Sequence, residues 1–239
     1  MTGKVICIGW HKTGTSTMGD ALIELGYDVL GARVDLAEEL LNGNTSKALE
    51  VAAPFPALQD VPWNALYREL DLAFPDSKFI LTIRNEDNWL KSAIRHFGDR
   101  EYDTPIFQWL YGKGRLRGNE EFFLKRYQAH NMEVRDYFSD RPDNLLVLNL
   151  EDNPGWGPLC AFLDASEPSA PFPHSNPSPY RLGFALKLRR LLAKLTPLPL
   201  RRLRLFILKK LGYAVQIDRF NNRTANSAAR ARYLPKSRK

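Results

Sequence analysis

Lys4–Leu25, KVICIGWHKTGTSTMGDALIEL, decides how the chain is read. Val5-Ile6-Cys7-Ile8 is a short continuous apolar run, the pattern of a strand buried on both faces of a parallel sheet. Gly9 ends it, and a tight loop through Trp10, His11, Lys12, Thr13 and Gly14 follows. From Thr15 the spacing turns helical, with Met18, Ala21, Leu22 and Leu25 on one face. Such a junction is an anion site, because the first amides of a helix have no partner within it and the dipole adds positive charge there. The plainer alternative, a glycine turn that merely joins strand to helix, leaves the crowding of a lysine and several hydroxyls at one helix start without a reason.

Against the phosphate-loop signature G-x-x-x-x-G-K-[ST], Gly9, Gly14 and Ser16 are in place. Thr15 stands where the lysine is required, and the lysine lies inside the loop, at Lys12. A triphosphatase lysine bridges the β- and γ-phosphates beside magnesium; one placed earlier still faces an anion but promises no metal partner. His11-Lys12-Thr13-Gly14-Thr15-Ser16 resembles the 5′-phosphosulfate loop of sulfotransferases, whose donor is 3′-phosphoadenylyl sulfate (PAPS).

A second motif follows. Lys78–Ile83, KFILTI, reads as another buried strand ending at Arg84, and Asn85, Glu86, Asp87 and Asn88 form the polar start of a helix carrying Ser92. Arg84 and Ser92 can therefore reach one phosphate at the carboxyl edge of a parallel sheet, guanidinium fork and hydroxyl together. This strand–Arg–x₇–Ser–helix arrangement resembles the 3′-phosphate motif of sulfotransferases. The resemblance extends to Phe74-Pro75-Asp76-Ser77-Lys78, to Tyr127, His130, Asn131, Val134 and Arg135, to Trp156-Gly157-Pro158-Leu159-Cys160 and to Pro171-Phe172-Pro173-His174. It covers about residues 4–176 and points to the branch of P-loop sulfotransferases common in bacteria and lower eukaryotes. One departure is visible: the late Arg-x-Gly-x-x-Gly segment that closes over the 3′-phosphate in many relatives has no match, and Lys113-Gly114-Arg115 is the substitute on offer.

The remaining elements alternate. Val29 starts a short strand; Asp35–Leu41 and Ser46–Val51 suggest two helical pieces, and Phe55–Leu58 a strand ending at Gln59-Asp60. A helix is expected from Pro62 through Leu66, Leu70 and Leu72. A long amphipathic helix begins at Asn119-Glu120-Glu121 and carries Phe122, Phe123, Tyr127, Val134 and Phe138; Leu145–Leu150 is a strand and Gly157–Leu163 a short helix. The expected fold is α/β: a P-loop-type parallel sheet flanked by helices in three layers over residues 1–180, with a basic helical extension over 181–239.

The resemblance implies transfer of a sulfuryl group from PAPS to a hydroxyl or amine, leaving adenosine 3′,5′-bisphosphate, with no metal. Lys12 is placed to meet the charge on the departing oxygen, and the hydroxyls of Thr13, Thr15, Ser16 and Thr17 with the amide of Gly14 to hold the 5′-phosphosulfate. The family position of the general base falls on Asp60, which burial would adapt to the task; the alternatives are that Asp60 caps the helix near Pro62, or that His11 is the base. His130 and His174 read as structural, His96 as facing phosphate or solvent, and Trp10, Trp63 and Trp89 as core before ligand. The competing classes are a P-loop kinase or NTPase, disfavoured by Thr15, and a non-catalytic basic protein bound to membrane or nucleic acid, which leaves both phosphate motifs unexplained. The acceptor is left as a small molecule, glycan or lipid-linked hydroxyl.

Composition is that of an ordinary globular protein, 44% apolar and 26% charged, but the charge of +7 hides a division. Residues 1–180 carry 17 Lys and Arg against 26 Asp and Glu; residues 181–239 carry 17 against Asp218 alone. Leucines alternate with Lys187, Arg189, Arg190 and Lys194, and again with Arg201, Arg202, Arg204, Lys209 and Lys210, so residues 181–211 suit an anionic membrane surface better than nucleic acid, the alternative being that their apolar faces pack on the acidic residues 1–180. Met1-Thr2-Gly3 leads straight into the first strand, and Cys7 and Cys160 make neither a disulfide framework nor a zinc site, so a cytoplasmic protein peripheral to the membrane is expected.

Overall fold

The computed structural model describes residues 3–98 and 104–174. Its centre is a five-stranded parallel sheet in the order β2-β3-β1-β4-β5, with β1 Val5–Cys7, β2 Val29–Leu30, β3 Ala57–Gln59, β4 Lys78–Ile83 and β5 Leu145–Asn149. Register places Cys7 beside Gln59 on one side and Ile80 on the other, and Ile83 beside Asn149. The carboxyl ends of β3, β1 and β4 are therefore neighbours. Whatever follows them shares one edge, where open α/β folds bind ligands.

The period of two divides β1 between two cores. Ile6 and Ile8 face a layer built with Leu58, Phe79, Leu81, Phe74, Val134 and Phe138. Val5 and Cys7 face the opposite layer, where Met18, Ala21 and Leu22 of α1 (Thr15–Glu24) meet Leu159 and Cys160 of α8 (Gly157–Leu163). That is the three-layer arrangement expected. The helices between are α2 (Ala37–Leu41), α3 (Ser46–Ala52), α4 (Tyr67–Ala73), α5 (Glu86–His96), α6 (Pro105–Tyr111) and α7 (Glu120–Tyr137). A third apolar cluster draws Trp10 together with residues of α5, α6 and α7, including Trp89, Phe97, Phe107, Tyr111 and Tyr127.

Three local expectations are corrected. The helix expected from Pro62 begins at Tyr67. Residues 61–65 form turns instead, with Ala65 N–H bonded to Pro62 O at 3.0 Å, because Trp63 is pulled into the core and its indole N–H donates to Gly31 O at 2.9 Å. The buried face of α4 is Tyr67, Leu70 and Asp71, followed by Phe74, a three-four spacing that turns Leu72 out to 81% exposure. On α7 the buried stripe is Phe123, Tyr127, His130 and Val134, which leaves Phe122 outside it, one residue and about 100° away. Helix α6, not anticipated, is bounded by Pro105 in its first turn and by Gly112 at φ 63°, a left-handed stop suited to glycine. The basic extension 181–239 and the proline-rich exit beyond residue 174 lie outside the described residues.

Candidate active site

The loop after β1 is shaped by contacts that admit no other residue at Gly9. A Cβ there would sit 1.8 Å from Thr82 Oγ1 and 2.9 Å from Thr13 Oγ1. Gly14, at φ 102°, precedes α1 directly, and Met18 N–H closes the first helical bond to its carbonyl at 3.1 Å. The amides of Thr15, Ser16 and Thr17 thus fall among the helix-start donors that lack an intrahelical acceptor. No side chain caps this end and no acidic residue stands in its first turn. Lys12 itself is left-handed, at φ 71°. A non-glycine residue there costs on the order of 1–3 kcal/mol, a strain that functional loops retain when their surroundings enforce it.

Thr13 does a different job from the one expected of its hydroxyl. Oγ1 donates to Trp10 O at 2.6 Å and is 2.7 Å from Thr82 Oγ1. With its one hydrogen committed, it has none for an anionic oxygen. It ties the loop to β4 instead, and Thr15, Ser16 and Thr17 remain as the hydroxyls at the helix start.

Two charged side chains flank the loop, one from each neighbouring strand. Asp60 ends β3 at φ 73° and is half-buried. Its Oδ1 accepts the Val61 amide at 2.8 Å, so it caps its own turn and not α4, which starts at Tyr67. Burial raises its carboxyl above the ordinary carboxylate value, partly offset by the Val61 amide and by the charge of Lys12. Arg84 ends β4, and its Nη1 lies 3.4 Å from the carbonyl of Lys12. Lys12 in turn is held below the ordinary lysine value, first by burial and then by Arg84 and Arg95, with Asp60 opposing. Lys12, Arg84 and Asp60 thus share one electrostatic neighbourhood, although Asp60 and Arg84 lie 48 and 72 residues beyond Lys12 in the sequence.

His11 points the other way. It is buried, with Trp89, Phe97 and Tyr111 ring centroids 5.9, 4.8 and 5.6 Å from its own. Its Nε2 is 2.6 Å from Tyr111 Oη, which also accepts the Trp10 indole N–H at 2.7 Å, and its carbonyl accepts the Trp89 indole N–H at 2.8 Å. Burial, then the charges of Lys12, His96 and His130, push the imidazole well below its ordinary value, which favours the neutral ring. Its Nε2 is occupied by Tyr111 inside an aromatic cage. The geometry makes His11 an anchor of the loop, which corrects its standing as the alternative base. His130 is structural as expected: its Nε2–H reaches Ile8 O at 2.7 Å, and burial lowers its pKa to about 4.

Arg84 and the start of α5 are organised by Tyr127 and Glu151, to which the sequence alone assigns no role there. Tyr127 Oη lies 2.8 Å from both the amide and the carbonyl of Arg84, bonding each. Glu151, just after β5, binds Arg84 Nε at 3.0 Å and Nη2 at 2.9 Å. Asn85 caps α5 by accepting Asn88 N–H at 3.2 Å, as its position suggested. Ser92 is half-buried, one turn beyond Asn88 on the same face. Lys113, the substitute for the missing closing segment, is turned to Asn119 Oδ1 at 3.3 Å and to the Phe122 ring at 4.6 Å. Among the described residues no three His, Cys, Asp or Glu side chains converge as a metal site, and no helix is long and apolar enough to cross a membrane.

Ava biosynthesis cluster protein M of Aspergillus versicolor is 26% identical over 213 residues, spanning 72% of this chain and 80% of that protein. The crystal structure of a sulfotransferase from Alicyclobacillus acidocaldarius superposes with a TM-score of 0.49 at 15% identity, covering 75% of this chain and 88% of that one. A family model, the sulfotransferase domain, matches residues 4–179. Since that match takes in both strand-end motifs and all five strands, the chain belongs to the sulfotransferase-domain family.

Proposed function

We propose that the protein transfers a sulfuryl group from PAPS to an acceptor hydroxyl. One observation carries the reading: Lys12, strained at the uncapped start of α1, lies in one charged neighbourhood with Arg84 and Asp60 from the two adjacent strand ends. The residues fit the donor. The loop amides and the hydroxyls of Thr15, Ser16 and Thr17 suit a 5′-phosphosulfate, and Arg84 with Ser92 suits a 3′-phosphate.

In this scheme the acceptor oxygen forms its bond to sulfur as the sulfur–oxygen bond to the 5′-phosphate breaks. Lys12 meets the negative charge gathering on the departing oxygen, and Asp60 takes the hydroxyl proton. Both act chiefly by position and charge, the dominant means in transfers of this type. A raised carboxyl pKa makes Asp60 a stronger base than an exposed aspartate. The charge partition adds a separable role for residues 181–211, attachment to an anionic membrane surface that would bring a lipid-linked or amphiphilic acceptor to the site.

The test is a thermal-shift titration of the full chain with adenosine 3′,5′-bisphosphate, AMP and ATP, with and without chelator, followed by transfer assays with PAPS. Stabilisation ordered bisphosphate over ATP and insensitive to chelator supports the reading. A preference for ATP with magnesium would return the chain to nucleotide triphosphate chemistry.

A further inference from the structure

Glu151 stands in the 3₁₀ turn Leu150–Asp152, directly after β5. Its carboxylate gathers Arg84 Nε at 3.0 Å and Nη2 at 2.9 Å, Asn88 Nδ2 at 3.2 Å to each oxygen, and the Asn85 amide at 3.4 Å. These donors are a strand-end guanidinium, the amide at the start of α5 and a side chain in its first turn. They are the set that an oxyanion recruits where a strand passes into a helix. Partial burial pushes the Glu151 carboxyl up, but the bonds from Asn88 and Arg84 and the charge of Arg84 more than offset it, so it stays ionised below its ordinary value. Asn85, Asn88 and Ser92 follow one another at three and four residues, so the stripe that holds this carboxylate leads to the Ser92 hydroxyl one turn further on.

We propose that Glu151 is a resident anion in the 3′-phosphate cradle: it occupies Arg84 and the start of α5 in the free protein and yields them to the 3′-phosphate of the nucleotide. The inference rests on the assignment of Arg84 and Ser92 to that phosphate. A phosphate dianion brings more charge and three acceptor oxygens, against one charge and two oxygens for the carboxylate. Arg84 cannot serve both in full, because Nε and Nη2 are given to Glu151 while Nη1 leans on the Lys12 carbonyl at 3.4 Å. The resident carboxylate keeps the guanidinium extended over the sheet edge before the nucleotide arrives. It also remains beside the dianion afterwards, so it weakens retention of the bisphosphate and speeds its departure. The 5′-phosphate, held at the start of α1, is farther from this charge.

Isothermal titration of the full chain with adenosine 3′,5′-bisphosphate and with AMP measures the effect. Glu151→Gln keeps an oxygen for Arg84 and removes the charge. The expected result is bisphosphate binding tightened about five- to thirtyfold, the scale for one unit charge lifted from beside a dianion at partial exposure, with AMP changed by less than about twofold. Weaker bisphosphate binding in Glu151→Gln would mean that the carboxylate is a strut that aims Arg84, and equal shifts for both nucleotides would mean a general charge effect; either overturns the proposal and leaves the Arg84 assignment standing. A wild-type chain that does not prefer bisphosphate to AMP removes that assignment and this proposal with it. A crystal structure of the unaltered chain with bisphosphate supplies a test independent of any variant. Glu151 withdrawn from Arg84 supports displacement, and an intact pair with the phosphate bound refutes it.

Discussion

Tyr111→Phe removes one oxygen atom from the cage around the loop and alters almost nothing in shape. In the wild-type protein that hydroxyl accepts the Trp10 indole N–H at 2.7 Å and bonds His11 Nε2 at 2.6 Å. Trp10 is fully buried and Tyr111 nearly so, which keeps water from replacing either bond. The variant therefore leaves the Trp10 N–H and the His11 Nε2 unpaired in an apolar enclosure, at about 1–3 kcal/mol for each group. Partial relaxation of the cage brings the expected total to roughly 2–4 kcal/mol. For a domain of this size that corresponds to a fall in melting temperature on the order of 5–15 °C. Turnover should fall too, because His11 adjoins Lys12 and its carbonyl is the acceptor for Trp89. Calorimetry or dye-based melting of wild type, Tyr111→Phe, His11→Leu and the double variant measures the coupling directly. A melting temperature unchanged to within about 1 °C, or strictly additive single effects, would refute the cage as the anchor of the loop.

Lys12→Ala is expected to lower turnover by about 10²- to 10³-fold, the scale of losing one preorganised charge-stabilising group, while bisphosphate affinity falls less; steady-state rates beside a binding titration separate the two. For Asp60, loss of a proton switches the base on at a pH above the ordinary carboxylate range, since burial raises its pKa in the folded state. The sign for stability is opposite: a raised folded value means that ionisation opposes folding, so the contribution present at low pH is lost as pH rises through it. Asp60→Asn should thus abolish most transfer to an alcohol, keep bisphosphate affinity and melt no lower than wild type at neutral pH; a fully active Asp60→Asn removes the assignment. The basic extension is expected to carry the full chain, but not a chain ending at Tyr180, into flotation with anionic vesicles at low salt, and to release it at high salt. Equal flotation of the two forms would detach the extension from that role.

Much of the framework is written locally. The strands around Val5, Lys78 and Leu145 are continuous apolar runs, which both faces of a parallel sheet demand, and the structure places them at Val5–Cys7, Lys78–Ile83 and Leu145–Asn149. Helices α1 and α5 start where glycine and asparagine mark them, and the three-four spacing of Met18, Ala21 and Leu22 picks out the buried face of α1. Helix α6 is legible as well, from Pro105 as its start and Gly112 as its stop. The start of the helix after β3 is set from outside its own residues, since a bond from Trp63 to Gly31 holds the preceding segment as turns.

What the sequence by itself determined is therefore the alternation of strands and helices, two strand-to-helix junctions whose residue types suit an anion, and the division of charge between acidic residues 1–180 and basic residues 181–239. These rest on periodicity, end signals and charge, all properties of near neighbours. Only the tertiary structure decided that Asp60 and Arg84 flank Lys12, because that depends on β1 lying between β3 and β4. It also decided that the Thr13 hydroxyl is tied to Thr82, that His11 is enclosed by Tyr111, and that Glu151 holds Arg84. The partners in those three contacts are 69, 100 and 67 residues apart. No local pattern encodes which buried donor meets which acceptor across such distances; the sheet order brings them together, and the cost of leaving any of them unpaired selects the pairing.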